Sequence, residues 1–180
     1  MNRSRVWLIC AIAILLAGFA VYLETDEEPV VSANPSSGEA KPKVGYTAPA
    51  FELPDLNDQA IRVGGIGDKL VLINFWASWC GPCVMEAPDL QELHEAYGDK
   101  VTIVGVNATK FDREREARQF VAEYEFTFPV LMDRKGTVTE LYRVSEFPTS
   151  LLVDHTGVVR ERITGVIPAS KWRTLIDKWS

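Results

Sequence analysis

An α/β domain is expected over residues 44–180, and three observations predict it. Two apolar runs, 70–76 and 101–107, read as buried strands and bracket a helical stretch at 82–97. Asp55-Leu56-Asn57-Asp58 and His155-Thr156-Gly157 are turn signals set between alternating strand patterns. Cys80-Gly81-Pro82-Cys83 falls where the first apolar run ends and the helical pattern begins.

The elements follow in order. Residues 1–5 carry Arg3 and Arg5, and residues 6–23 are apolar and uncharged. A helix over that run is roughly 27 Å long at about 1.5 Å per residue, close to the hydrocarbon thickness of a bilayer. Glu24, Asp26, Glu27 and Glu28 come next. Arginines before the run and acids after it put residues 1–5 in the cytoplasm and the rest outside. The run reads as a transmembrane signal-anchor or as a signal peptide cleaved after Gly18-Phe19-Ala20. Its continuation through Val21, Tyr22 and Leu23 favours the anchor. Cys10 follows Trp7, Leu8 and Ile9 rather than small residues, and reads as a lipid-facing thiol. Residues 24–43 hold early acids, then Pro29, Pro35 and Pro42, and read as a flexible, solvated linker.

In the domain, residues 50–54 and 59–63 alternate around the Asp55 turn as a hairpin, and 70–76 is a buried strand. A helix over 82–97 ends at Gly98, with Pro88 expected to kink it. A strand at 101–107 precedes a charged amphipathic helix expected from 112 to about 125, with Phe120, Val121 and Tyr124 on its apolar side. A short strand at 128–132, a short helix at 138–143, and an antiparallel hairpin of 149–154 with 158–164 follow. Pro168 opens a last helix over 169–179.

The composition narrows the function classes. Of 180 residues, 47% are apolar, enough for a packed core without disulfide staples. A net charge of −6 argues against nucleic-acid binding, which needs a basic face. Three cysteines, with only one Cys-x-x-Cys pair, are too few for a disulfide scaffold or a four-ligand zinc site.

Two cysteines with two residues between them can close and reopen a small disulfide. At a helix start the first thiol meets the positive end of the helix dipole and unpaired N–H groups, which favour the nucleophilic thiolate. That points to redox chemistry on cysteine. Around the pair, Val71 to Trp79 leads into Cys80-Gly81-Pro82-Cys83, then Glu86-Ala87-Pro88; Glu146-Phe147-Pro148-Thr149 leads into a strand and Gly157; and Gly45 to Phe51 opens the domain. With these residues the chain resembles the thioredoxin superfamily, and more closely the membrane-anchored, extracytoplasmic thiol–disulfide oxidoreductases of the ResA/TlpA type. The resemblance implies a thioredoxin fold, with a central mixed β-sheet flanked by helices. It also implies an N-terminal β-hairpin extension, for which residues 45–51 match the family's opening hairpin, and an inserted helix near 108–125.

The resemblance assigns roles residue by residue. Cys80 is the nucleophile, with its sulfur partly exposed, and Cys83 resolves the mixed disulfide. Gly81 and Pro82 are the thioredoxin pair, which tilts the chain toward reduction. Glu86 lies three residues past Cys83, hence on the same helix face. Buried there, its carboxyl has a raised pKa and relays the Cys83 proton. Thioredoxin uses a strand aspartate for this, and Asn74 holds that position here. Pro148 matches the cis-proline facing the disulfide, with Phe147 and Thr149 beside it in the substrate groove; Phe128-Pro129 is the rival cis bond. Trp79 is expected to cover the disulfide, and Trp76 reads equally as packing. His94 and His155 read as surface residues without a function.

No cofactor beyond the Cys80–Cys83 disulfide is expected. The implied partners are a protein disulfide, for which apocytochrome c is one candidate, and a membrane electron donor of the CcdA/DsbD type. Spore-envelope assembly is an alternative process. A thiol peroxidase would need Pro-x-x-x-Thr-x-x before its cysteine, where Trp76 and Ala77 stand four and three residues before Cys80. A copper carrier would need wider cysteine spacing and a distal histidine. A binding module with an inert disulfide is the remaining class.

Overall fold

The computed structural model describes residues 40–180. The expected anchor at 6–23 and most of the linker lie outside the described residues. Among those described, no helix is long and apolar enough to cross a membrane.

Five strands form the central sheet: β3 (Leu70–Trp76), β4 (Val101–Asn107), β5 (Val130–Met132), β6 (Thr149–Val153) and β7 (Val159–Thr164), in the order β5-β4-β3-β6-β7. β3, β4 and β5 are parallel, and β6 and β7 pair antiparallel, so the sheet is mixed. The helices are α1 (Gly81–Tyr97), α2 (Glu114–Glu123), α3 (Thr137–Leu141) and α4 (Ala169–Trp179). A separate antiparallel hairpin, β1 (Phe51–Pro54) with β2 (Ala60–Val63), precedes the sheet. Its turn is closed by the Asp55 carboxylate, which accepts from the Asn57 and Gln59 amides at 2.7 and 2.9 Å. This is a thioredoxin-like α/β fold.

Strand alternation splits the core into two layers. On one face, Leu70, Leu72 and Trp76 of β3 pack with Leu90 and Leu93 of α1, Phe120 of α2, and Trp172 and Ile176 of α4. On the other, Ile73 and Phe75 pack with Phe51 and Val63 of the hairpin and Val138 and Tyr142 at α3. Asn74 shares the parity of Leu72 and Trp76, so it points toward α1.

The structure corrects several sequence expectations. Residues 45–50 are not a hairpin strand; they make one isolated bridge, Thr47 to Val158, ahead of β1. α2 begins at Glu114, not at 112, because Asp112 is held extended at φ −128° and ψ 167° by hydrogen bonds to its side chain. A 3-10 turn over Thr109–Phe111 precedes it. β5 starts at Val130, and Tyr124 lies one residue past α2. Gly98 ends α1 in right-handed backbone at φ −61°, and a Cβ there would meet the His94 carbonyl at 2.9 Å, so space rather than handedness demands glycine. His94 is half-buried with its ring edge-on to Phe128 at 5.7 Å; it is not a surface residue, whereas His155 is.

Candidate active site

Cys80 is the N-cap of α1, and Pro82 occupies its first turn, where a missing N–H leaves no bond unmade. Cys80 and Cys83 are joined by a disulfide, their Cα atoms 5.2 Å apart. The Cys83 amide points at the Cys80 sulfur, N to Sγ 3.2 Å. After reduction the same N–H faces the Cys80 thiolate, and a charged acceptor makes that bond stronger. In this oxidised state Cys80 is 4% exposed, against the expectation of a partly exposed sulfur, and Cys83 is buried as well.

Cys83, Glu86, Ala87, Leu90 and Leu93 form the buried stripe of α1. Glu86 is 3% exposed. Desolvation pushes its pKa up to about 7; a hydrogen bond from Asn74 opposes the rise and the nearby Asp89 charge adds to it. Asn74 Nδ2 donates to Glu86 Oε1 at 2.7 Å and to Ser150 Oγ at 3.0 Å. Asn74 and Ser150 are register partners on β3 and β6, so the two strands present one polar pair to the helix above. Ser150 carries no motif signal and enters only through strand register. Asn74 had a signal, an amide inside an apolar run, and its place is that of the carboxyl's hydrogen-bond donor.

The Phe147–Pro148 bond is cis, and Phe128–Pro129 is not among the cis bonds of the described residues. The Pro148 carbonyl accepts from Gly165 N at 2.8 Å. Thr149, buried at the start of β6, donates its hydroxyl to the Glu146 carbonyl at 2.8 Å. Its side chain is thereby committed to the loop. Trp79 is 61% exposed. Its indole N–H donates to the Phe111 carbonyl at 2.9 Å, and its ring stands edge-on to Phe147 at 5.9 Å. Trp79 therefore bridges the 109–111 turn and the cis-proline loop. Trp76 is a core residue stacked on Phe120 at 4.6 Å.

Asp112 also belongs to this neighbourhood. Its carboxylate accepts from Ser78 N at 2.7 Å and Ser78 Oγ at 2.6 Å, two residues before Cys80. The sequence disguises it as a first-turn acid of the following helix. Among the described residues, no cluster of three or more His, Cys, Asp or Glu side chains could hold a metal ion.

Residues 44–162 match the AhpC/TSA family. The chain is 37% identical over 130 residues to the thiol-disulfide oxidoreductase ResA of Bacillus cereus, covering 72% of this chain and 74% of that one. It is 31% identical over 174 residues to the thioredoxin-like protein YneN of Bacillus subtilis, covering 96% and 98%. Among solved structures it is similar to StoA from Bacillus subtilis, with a TM-score of 0.62 and 26% identity over 70% of this chain and 95% of that one.

Proposed function

We propose, on the premise that the chain belongs to the AhpC/TSA family and is a thiol–disulfide oxidoreductase of the ResA type, that it reduces protein disulfides outside the cytoplasm. The observation that carries this reading is the Cys80–Cys83 disulfide at the N-cap of α1, with the Glu86 carboxyl buried on the helix face it shares with Cys83.

In the reduced protein the Cys80 thiolate attacks one sulfur of a substrate disulfide. The substrate's other sulfur leaves as a thiolate, and a mixed disulfide forms. Cys83 passes its proton to the Glu86 carboxylate and attacks Cys80 Sγ, releasing the second substrate thiolate. Two electrons have moved to the substrate, and Cys80–Cys83 is the disulfide again. Phe147, Pro148 and Trp79 line the approach and hold the substrate chain; Thr149 orders the loop. A membrane dithiol donor of the CcdA/DsbD type returns the electrons, and the Glu86 proton returns to Cys83. No cofactor beyond the cysteine pair enters the cycle.

The uncharged run at 6–23, arginines before it and acids after it support a single-pass anchor with residues 44–180 on the extracytoplasmic side. Apocytochrome c is the proposed substrate, because haem attachment needs free cysteines and this domain delivers them. Cys83→Ser cannot resolve the mixed disulfide and is expected to accumulate substrate on Cys80, seen as reductant-sensitive adducts. A strain without the protein is expected to lack c-type cytochromes and to regain them with added thiol. No adduct and no turnover of any disulfide would refute the enzymatic reading. Normal cytochromes with adducts present would move the substrate to another envelope process such as spore-envelope assembly.

A further inference from the structure

We propose that Asp112 is a positioning residue for protein substrates: it ties the segment before Cys80 to the 109–111 turn, so that Trp79 and Phe111 form one aromatic wall beside the disulfide that receives an apolar side chain flanking the substrate's own disulfide. The proposal rests on the reading that this protein acts on polypeptide disulfides.

The Asp112 carboxylate accepts four hydrogen bonds, all from neutral donors. Oδ2 takes Ser78 N at 2.7 Å and Asn107 Nδ2 at 2.8 Å; Oδ1 takes Ser78 Oγ at 2.6 Å and Arg113 N at 2.7 Å. These donors come from the end of β4, the loop entering α1 and the residue that follows Asp112 itself, so one side chain ties its own segment to two others. The Trp79 N–H to the Phe111 carbonyl is a further tie between the loop and the turn. Trp79 and Phe111 are nonetheless 61% and 55% exposed. The Trp79 ring is fixed by that bond and by Phe147, and the Phe111 ring carries Lys110 Nζ over its face at 5.4 Å; large aromatics left in solvent next to a redox cysteine pair mark a surface prepared for a partner rather than for the core. Met85 at 67% exposure and Val84 at 38%, on the outer side of α1, extend the apolar rim past Cys83. The wall continues through the Trp79–Phe147 ring contact to the cis-proline loop. A polypeptide carries side chains on both sides of its cysteines and reaches this rim; a small disulfide does not.

Asp112→Asn is the sharpest variant because it keeps the volume. Either orientation of the amide turns an NH2 toward a donor that Asp112 had accepted, since each carboxylate oxygen binds one backbone N–H. Phe111→Ala removes the wall without touching the clamp. The full chain is assayed with dithiothreitol as electron source, on oxidised insulin and on bis(2-hydroxyethyl) disulfide. For both variants the ratio of kcat/KM on insulin to that on the small disulfide is expected to fall about tenfold, through KM. A ratio within twofold of the parent in both overturns the proposal. So does an equal loss on both substrates, which is what a merely structural residue would give. If Asp112→Asn fails to fold, Phe111→Ala decides by the same ratio. If the parent reduces the small disulfide but not insulin, the protein-substrate reading falls and takes this one with it; if it reduces insulin and the ratio holds, only the wall falls.

Discussion

The two faces of the central sheet bury polar groups in opposite ways. On the hairpin side, Tyr142 is fully enclosed, and its hydroxyl donates to the Pro49 carbonyl at 2.6 Å. Its ring lies against Phe51 at 5.5 Å and Phe75 at 5.2 Å. Burial pushes the phenol's pKa up, so it stays a neutral donor across the biological range. On the α1 side, Glu86 is as deeply buried, but its hydrogen-bond donor is the neutral amide of Asn74. The first face uses a polar group to close the structure. The second keeps a group whose charged form is poorly solvated, which costs stability and makes a proton easy to exchange near pH 7.

Removing the closing group should produce the largest loss. Tyr142→Ala is expected to cost about 3–5 kcal/mol of unfolding free energy, since it empties a core site and strands a carbonyl. Urea unfolding of the full chain measures this, and a loss below about 1 kcal/mol would erase the contrast between the faces.

Glu86→Gln should act in the opposite direction. Its folded pKa of about 7 lies above the ordinary 4.5, so the folded state binds the extra proton between those values. Stability contributed by that proton is present below pH 4.5 and is lost as pH rises through 7. The glutamine, which cannot ionise, should therefore be more stable than the parent at pH 8 by about 3 kcal/mol and equal to it near pH 4. The same substitution should shift the pH dependence of thiol reactivity; a parent and variant that titrate alike would reduce Glu86 to a helix acid.

The smallest effect belongs to the surface. Glu114 accepts from Arg134 at 2.7 and 2.8 Å and from Arg118 at 2.7 and 3.1 Å, pinning α2 to the loop after β5. Arg134, then Arg118, lower its pKa to about 2. Its contribution is present above pH 4.5 and fades as pH falls toward 2. Solvent screening keeps it small, and Glu114→Gln should cost less than about 1 kcal/mol at pH 7 and nothing measurable at pH 2. Thermal unfolding at the two pH values checks this, and a larger loss would mean that the network carries part of the fold.

Residues whose chemistry depends on close neighbours in the chain were legible. Cys80 and Cys83 declare themselves by spacing, and Glu86 by lying three residues further along one helix. Pro148 was legible through the resemblance of Glu146-Phe147-Pro148-Thr149 to the family's cis-proline loop, and its peptide bond is cis. Ser150 was not, because it meets Asn74 across 76 residues and only the β3–β6 register aligns them. Asp112 was misread because an acid before an amphipathic helix has a ready local explanation. His94 was misread because the helix pattern does not reveal that Phe128, on the segment before β5, packs against its ring.

By itself, then, the sequence determined the order of strands and helices and the thiol chemistry at Cys80-Gly81-Pro82-Cys83. Periodicity, turn residues and i to i+3 spacing are local, and the chain carries them wherever it goes. Only the tertiary structure decided what surrounds those cysteines. It buried Glu86 against Asn74 and set Asp112 behind Ser78. Burial and hydrogen bonding depend on which distant segments are packed together, and desolvation, which moves the Glu86 pKa, exists only once they are.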